Sequence, residues 1–185
     1  MMELGQLRLS LYRFSHALFQ QYLYGHFTEA ERVYLHRDVG EVLERLFEGR
    51  TEEVAGQLAR HFEEAGIAEK AVTYRLQAGA KALGMSAHEE ATVHTRKGLE
   101  LIAKLPSGPQ QVVLELGLQL THGAASVGTQ GYASPEVERA FTRADELAQM
   151  VGDQGHRIQA LYGLAGLYFV RAEFERAETT SRELI

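Results

Sequence analysis

The sequence predicts an all-α fold, an α-solenoid of stacked helix hairpins. Three observations lead there. Apolar residues recur at helical spacing along nearly the whole chain. The three prolines, Pro106, Pro109 and Pro135, can all sit between helices, so none has to break one. Strand signals are poor, with no sustained polar/apolar alternation flanked by hairpin turns and no Asn anywhere.

About nine helices follow from the periodicity. The first is expected near 8–24, with Leu11, Phe14, Leu18 and Tyr22 on one face, and the second near 29–48, with Glu29 and Glu31 in its first turn, where carboxylates suit the helix dipole. The third, near 51–65, has Thr51 as its expected N-cap and Gly66 as a left-handed stop. A fourth over 69–83 and a fifth over 87–105 are separated by Gly84 and Ser86, and Leu105-Pro-Ser-Gly-Pro109 is the clearest break in the chain. Further helices are expected near 110–127, 135–150, 156–172 and from 174 onward. Between the first two of these lies the longest connector, 128–135, ending in Ser134-Pro135, an N-cap followed by proline at the first helical position. The chain stops at Leu184-Ile185 inside an amphipathic pattern and reads as a fragment of a longer protein.

Composition excludes several classes of function. With 185 residues, 45% hydrophobic and 24% charged, the chain has enough apolar surface to fold as one domain or slightly more. A net charge of −6 argues against a phosphate-neutralising surface. The absence of cysteine removes disulfides, thiolate catalysis and Cys-ligated metals. No apolar run reaches the length of a membrane span, and the first residues lack the signal-peptide pattern, so a cytoplasmic location is expected.

Small residues mark an internal repeat. Gly79 in the fourth helix is followed twelve residues later by Ala91, and Ala165 in the eighth is followed twelve later by Ala177. In the middle pair Gly117 precedes Ala140 by 23, the excess coinciding with the long connector. A small residue on each of two facing helices lets the backbones approach while larger neighbours fill the flanks. This pattern resembles the tetratricopeptide repeat, with large residues and a small one on the first helix and a small one opening the second. The anchoring Trp is missing, and the repeat length of about 37–38 exceeds the usual 34. The preferred pairing is fourth with fifth, sixth with seventh and eighth with ninth, leaving the third as a transition element. A second framing, through Leu58, Ala59 and Phe62 and then Ala71 and Ala78, pairs the third helix with the fourth.

Motifs for chemistry are missing. The chain has no phosphate-cradling Gly-Lys loop, no Gly-x-Gly-x-x-Gly after a strand and no Gly-x-Ser-x-Gly elbow. Eight histidines raise the question of a metal, but His88 and His94 are six apart and point to opposite sides of a helix, where a zinc pair needs i, i+4. His61 and His94 are expected to bond across helix contacts instead. Glu52-Glu53, Glu63-Glu64 and Glu89-Glu90 read as helix starts and solvated faces. The first fifty residues carry six basic and seven acidic side chains, without the basic stripe of a DNA-recognition helix. No catalytic, cofactor-binding or metal-binding residue is assigned, and no cofactor is expected.

Residues 12–46 carry a second resemblance, through Phe14, His16 and Ala17, Tyr22 to Tyr24, Arg32, Leu35-His36 and Leu43-Glu44. They look like a junction in the STAND-class signal-transduction ATPases, in which AAA-type ATPase regions are fused to nucleotide cyclase domains or to LuxR-type transcriptional regulators. Leu58, Ala59, His61, Phe62, Ala65, Gly66, Ala71, Tyr74, Ala78 and Gly79 resemble the start of that family's helical repeats, and 131–152 fit its later ones. The resemblance implies that 1–50 is the C-terminal part of a degenerate winged-helix segment. It also implies that 51–185 is a right-handed tetratricopeptide-like solenoid, truncated at its C-terminus. The nucleotide site would lie upstream.

The implied role is a non-catalytic interaction or sensor region of a multidomain bacterial protein. A free-standing adaptor for peptide segments and, more remotely, a small helical enzyme are the alternatives. In the repeat frame the concave surface expected to meet a protein or peptide partner comprises Gln111, Leu114, Leu118, Thr121, His122, Gln159, Tyr162 and Phe169. The last helix is expected to expose Phe174, Ala177, Leu184 and Ile185 and to pair there with a second copy. Neither membrane nor nucleic-acid binding is expected.

Overall fold

The computed structural model describes residues 2–4, 7–9 and 17–184. The architecture is an all-α solenoid preceded by one short hairpin. Strands β1 (Met2–Leu4) and β2 (Leu7–Leu9) pair antiparallel, with Glu3 opposite Arg8 and Leu4 opposite Leu7. The helices are α1 (Ala17–His26), α2 (Glu29–Leu46), α3 (Ala55–Glu64), α4 (Ala68–Gly84), α5 (His88–Ile102), α6 (Pro109–Gln130), α7 (Pro135–Val151), α8 (Gln154–Val170) and α9 (Phe174–Arg182), with a 3-10 turn at Thr51–Glu53 before α3.

The hairpin corrects the expected first helix at its start, since residues 8 and 9 lie in a strand. Met-Glu-Leu and Leu-Arg-Leu alternate around Gly5-Gln6, a compact period-2 signal too short to outweigh the helical pattern that follows. Leu11, Phe14 and His16 lie outside the described residues. Thr51 is also reassigned. It opens the 3-10 turn, and its hydroxyl lies 3.4 Å from the Gln77 amide oxygen rather than capping α3.

Local chemistry explains most boundaries. Thr28 and Glu31 form a reciprocal capping box on α2, and the Thr28 backbone N–H holds the Glu31 carboxyl below the usual range. Ser134 caps α7 by accepting from the Val137 N–H, with Pro135 at the first helical position. Four helix ends share one left-handed turn, centred on Gly66, Ser86, Gly152 and Ala172, all with φ between 59° and 71°. At each, the residue after the turn donates to a carbonyl five back: Ile67 to Phe62, Ala87 to Ala82, Asp153 to Ala148 and Glu173 to Tyr168. Two of the four are not glycine, so sequence reading finds only half of this set.

Consecutive helices from α2 to α9 pack on one another, and α4 touches α6 and α6 touches α8 as well. Helices α5 and α7 make no comparable contact. The even-numbered helices therefore form the closely spaced inner row and the odd-numbered ones the spread outer row, which is how a solenoid curves. Glycines set the approach. A methyl on Gly117 would stand 2.8 Å from Leu76 on α4, and one on Gly98 2.6 Å from Leu118 on α6. Gly79 faces Thr95 on α5 at 2.9 Å by the same construction. Ala165, expected to face Ala177 on α9, stays half-buried; the close approach of α8 is made by Gly163, toward Phe141 on α7, at 2.5 Å.

The core has two main nuclei. One joins α3, α4, the end of α5 and one face of α6 around Leu58, Phe62, Val72 and Leu118; the other joins the opposite face of α6 to α7, α8 and α9 around Leu116, Phe141, Leu147 and Leu167. Ala82, Ala91 and Ala125 form a small node between them. Helix α3, read from sequence as a transition element, packs on both α2 and α4. Glu44 of α2 accepts from Lys70 Nζ and Tyr74 Oη at 2.5 Å each, and Gly40 leaves room for the Phe62 ring, which stacks on Tyr74 at 5.7 Å. Burial first, and then the Glu44 carboxylate, push the Tyr74 phenol well above its ordinary range. No helix among the described residues is long and apolar enough to cross a membrane.

Candidate partner-binding cleft

On the inner row, α6 and α8 stand apart enough to leave a cleft of about 460 Å3. Leu120, Ala124 and Val127 line it from α6, Ile158, Gln159, Tyr162 and Gly163 from α8, Tyr132 from the connector and Phe141 at its base. The cleft exists because of glycine. The Phe141 ring is seated between Gly123 and Gly163, where a Cβ would approach it to 3.0 and 2.5 Å. Tyr132 lies against Gly166 in the same way, at 3.1 Å. Ile158 and Tyr162 are four residues apart, so they share a helix face, and they are 50% and 71% exposed. Gln159 is the one side-chain amide in the lining, beside the hydroxyls of Tyr132 and Tyr162. Such a surface can hold a bulky apolar group and offer one amide to orient it.

The eight expected partner-binding positions divide into three groups. Gln159 and Tyr162 line the cleft. Phe169 is exposed further along α8, edge-on to Phe174 with ring centres 6.0 Å apart. The remaining five face the chain's own neighbours. Leu118 is fully buried against Gly98, and His122 is 5% exposed, so neither can meet a partner, which corrects the expectation for both. Leu114 packs on the first nucleus, Gln111 Nε2 donates to the Ile102 carbonyl at 3.2 Å, and the Thr121 hydroxyl donates to the Gly117 carbonyl at 2.8 Å. The expected face on α6 was rotated too far toward α5 and α7. Ile158, Tyr132 and Phe141 were missed. Ile158 was legible as the i−4 neighbour of Tyr162; Tyr132 and Phe141 depend on contacts with distant glycines.

His122 is a structural link rather than a ligand. Its Nδ1 lies 2.8 Å from the Thr95 hydroxyl on α5 and its Nε2 3.1 Å from Glu136 at the start of α7. Burial pushes the Glu136 carboxyl up, but the hydrogen bond from His122 and the charge and hydrogen bond of Arg139 together hold it below the usual range. The Thr95 hydroxyl also donates to the Ala91 carbonyl at 2.9 Å, so His122 joins α5, α6 and α7 through one side chain. His61 and His94 also bond across helices, as expected: His61 Nδ1 lies 3.0 Å from His36 Nδ1, and His94 Nδ1 accepts from Arg75 at 3.2 Å. Among the described residues no group of three or more His, Asp or Glu side chains is placed to hold a metal ion.

The proposed dimer edge is also redrawn. Phe174 is 61% exposed and Leu184 half-buried, but Ala177 is buried in the second nucleus, where its methyl closes the α8–α9 contact. Ile185 lies outside the described residues.

Fold and cleft together define a helical-repeat scaffold with an apolar recess on its inner row. No family model matches the chain. It is similar to an uncharacterized protein of Rhizobium meliloti (strain 1021), at 29% identity over 145 residues. That stretch covers 75% of this chain and 13% of the relative, so the chain spans a small part of the length of the protein it matches.

Proposed function

We propose that this chain is a non-catalytic protein-interaction or sensor region built from tetratricopeptide-like repeats, serving a large multidomain bacterial signalling protein in the cytoplasm. The observation that carries this reading is the α6–α8 cleft, an apolar recess with exposed Ile158 and Tyr162 at its mouth and no catalytic constellation in its lining. The length of the Rhizobium relative supports a multidomain setting. The resemblance of 12–46 to STAND-class ATPases supports an ATPase switch as the neighbouring domain, with a cyclase or transcriptional output. The preferred ligand is a peptide or amphipathic helix that inserts one bulky apolar side chain into the cleft.

Peptide display against the purified chain tests this. Selected peptides should share an aromatic or branched aliphatic anchor. Tyr162→Ser, at an exposed position, should weaken them about 30-fold, the scale of one interface hot spot, with the thermal midpoint unchanged. Peptides that bind Tyr162→Ser as tightly as the parent, or a selection that yields no anchor residue, would overturn the reading.

A further inference from the structure

A second cleft, of about 540 Å3, opens at the other end of the solenoid where α1, α2 and α3 meet. Its polar lining is Gln21 and Tyr24 from α1, His36 from α2, and Arg60 and His61 from α3, with Leu35 and Val39 as an apolar wall. Among the described residues no carboxylate lines it, although acids outnumber bases in the chain by 25 to 19.

Counting protons shows that the Tyr24–His36–His61 chain leaves one donor free at one end and one acceptor at the other, and Arg60 tips the lining toward donors because a guanidinium only donates. Tyr24 Oη lies 2.9 Å from His36 Nε2, and His36 Nδ1 lies 3.0 Å from His61 Nδ1. A phenol and two neutral imidazoles bring three protons to these two hydrogen bonds. If Tyr24 donates to His36, then His36 donates to His61 and the His61 proton sits on Nε2. If the order runs the other way, His61 donates to His36, His36 donates to Tyr24, and the phenol proton is left over. Either order leaves one donor without a partner among the described residues. Arg60, exposed on α3, adds a guanidinium that makes no ion pair among the described residues. The Arg32 guanidinium, 4.8 Å above the Tyr24 ring, adds a second positive charge behind the cleft. Glu64 acts on His61 from the next turn of α3 but does not line the cleft.

We propose that the α1–α2–α3 cleft binds a small organic oxyanion. The anionic head accepts from Arg60 and from the free donor of the Tyr24–His36–His61 chain, and an apolar body rests on Leu35 and Val39. A carboxylate and a phosphate ester share this head chemistry. An oxyanion also relieves the feature that desolvation and the neighbouring His36 and Arg60 create at His61, whose charged form they disfavour.

Benzoate and phenyl phosphate, with benzyl alcohol as the uncharged control, test the site in titrations of the intact chain followed by nuclear magnetic resonance. At least one anion should bind saturably and shift the His36 and His61 ring signals, while the alcohol should not. The anion that binds identifies the head as carboxylate or phosphate. Arg60→Gln should weaken binding about tenfold, the size of one charge-assisted hydrogen bond. Arg37→Gln, which removes a guanidinium already paired with Asp38, should leave binding unchanged. Neither anion saturating, the alcohol binding as well as the anions, or Arg60→Gln and Arg37→Gln behaving alike would each overturn the proposal.

Discussion

The two clefts are built by opposite means. The α6–α8 cleft is shaped by absence: Gly123 and Gly163 give up their side chains so that Phe141 can lie between two helices, and what remains is apolar and open. The α1–α2–α3 cleft is shaped by polar side chains that hold one another, Tyr24, His36 and His61, in a line of two hydrogen bonds. Packing by glycine is specific to a few tenths of an ångström, because a single methyl has nowhere to go. Packing by a hydrogen-bonded chain is specific in protonation as well as in shape. The first should therefore respond most to changes in volume, and the second to changes in pH.

The largest expected effect is at Phe141. The ring is 6% exposed and contributes to the second nucleus, so Phe141→Ala should destabilise the chain by about 3–5 kcal/mol in urea unfolding, through lost burial and the cavity left between Gly123 and Gly163. An exposed aromatic of similar size, Phe169 at 67%, should cost little when changed to Ala. Similar losses from the two variants would mean that the glycine recess does not organise this half of the molecule.

Sequence alone makes the periodic part of this contrast legible. Gly79 packs on α5 beside Ala91, as its matched small residue placed it, whereas Gly117 meets Leu76 on α4 instead of its expected partner Ala140 on α7; the helices of the solenoid fall close to their expected spans. Glycines at close approach leave a trace in spacing because the repeat reuses them. The concave surface was less legible. An error of one or two residues in the facing direction of α6 moved Leu118 and His122 from groove to core, since helical period alone does not say which neighbour each face meets. The polar cleft was legible only as a hint that His61 would bond across helices. Its partner His36 is 25 residues away, and no local pattern connects the two. The short hairpin at 2–9 was hidden for the reverse reason, a local signal outweighed by the longer pattern after it.

The four left-handed turns give a smaller test of how far the repeat constrains its own connections. Gly152 and Ala172 close equivalent turns at the two ends of α8, with φ of 71° and 59°. An L residue in this region costs roughly 1–2 kcal/mol, part of which glycine returns through greater freedom in the unfolded chain. Ala172 is exposed, so Ala172→Gly should stabilise by about 0.5–1 kcal/mol. Gly152→Ala should destabilise by a similar amount. If Ala172→Gly destabilised instead, the Ala172 methyl would have a packing role that its exposure does not suggest.

The smallest expected effect is in pH, and it belongs to the polar end. Desolvation lowers His61, with His36 and Arg60 adding to it against Glu64; desolvation likewise lowers His94, with Arg75 adding to it against Glu90. In the unfolded chain both rings titrate near the ordinary value of 6.5. Below that pH the unfolded state takes up protons that the folded state resists, so stability is full above 6.5 and falls as pH drops toward the lowered folded values. The carboxylates held low by hydrogen bonds, Glu31, Glu136 and Glu138, lose their contribution only further down, below their ordinary 4.5. Urea midpoints should therefore decline between neutral pH and the region just above that value, and the double variant His61→Gln, His94→Gln should flatten the decline. An unchanged slope in the double variant would move the pH response away from these two rings. A slope flattened as much by His94→Gln alone would place it on the Arg75–His94 contact, leaving the α1–α2–α3 cleft without the protonation sensitivity that separates it from its apolar counterpart.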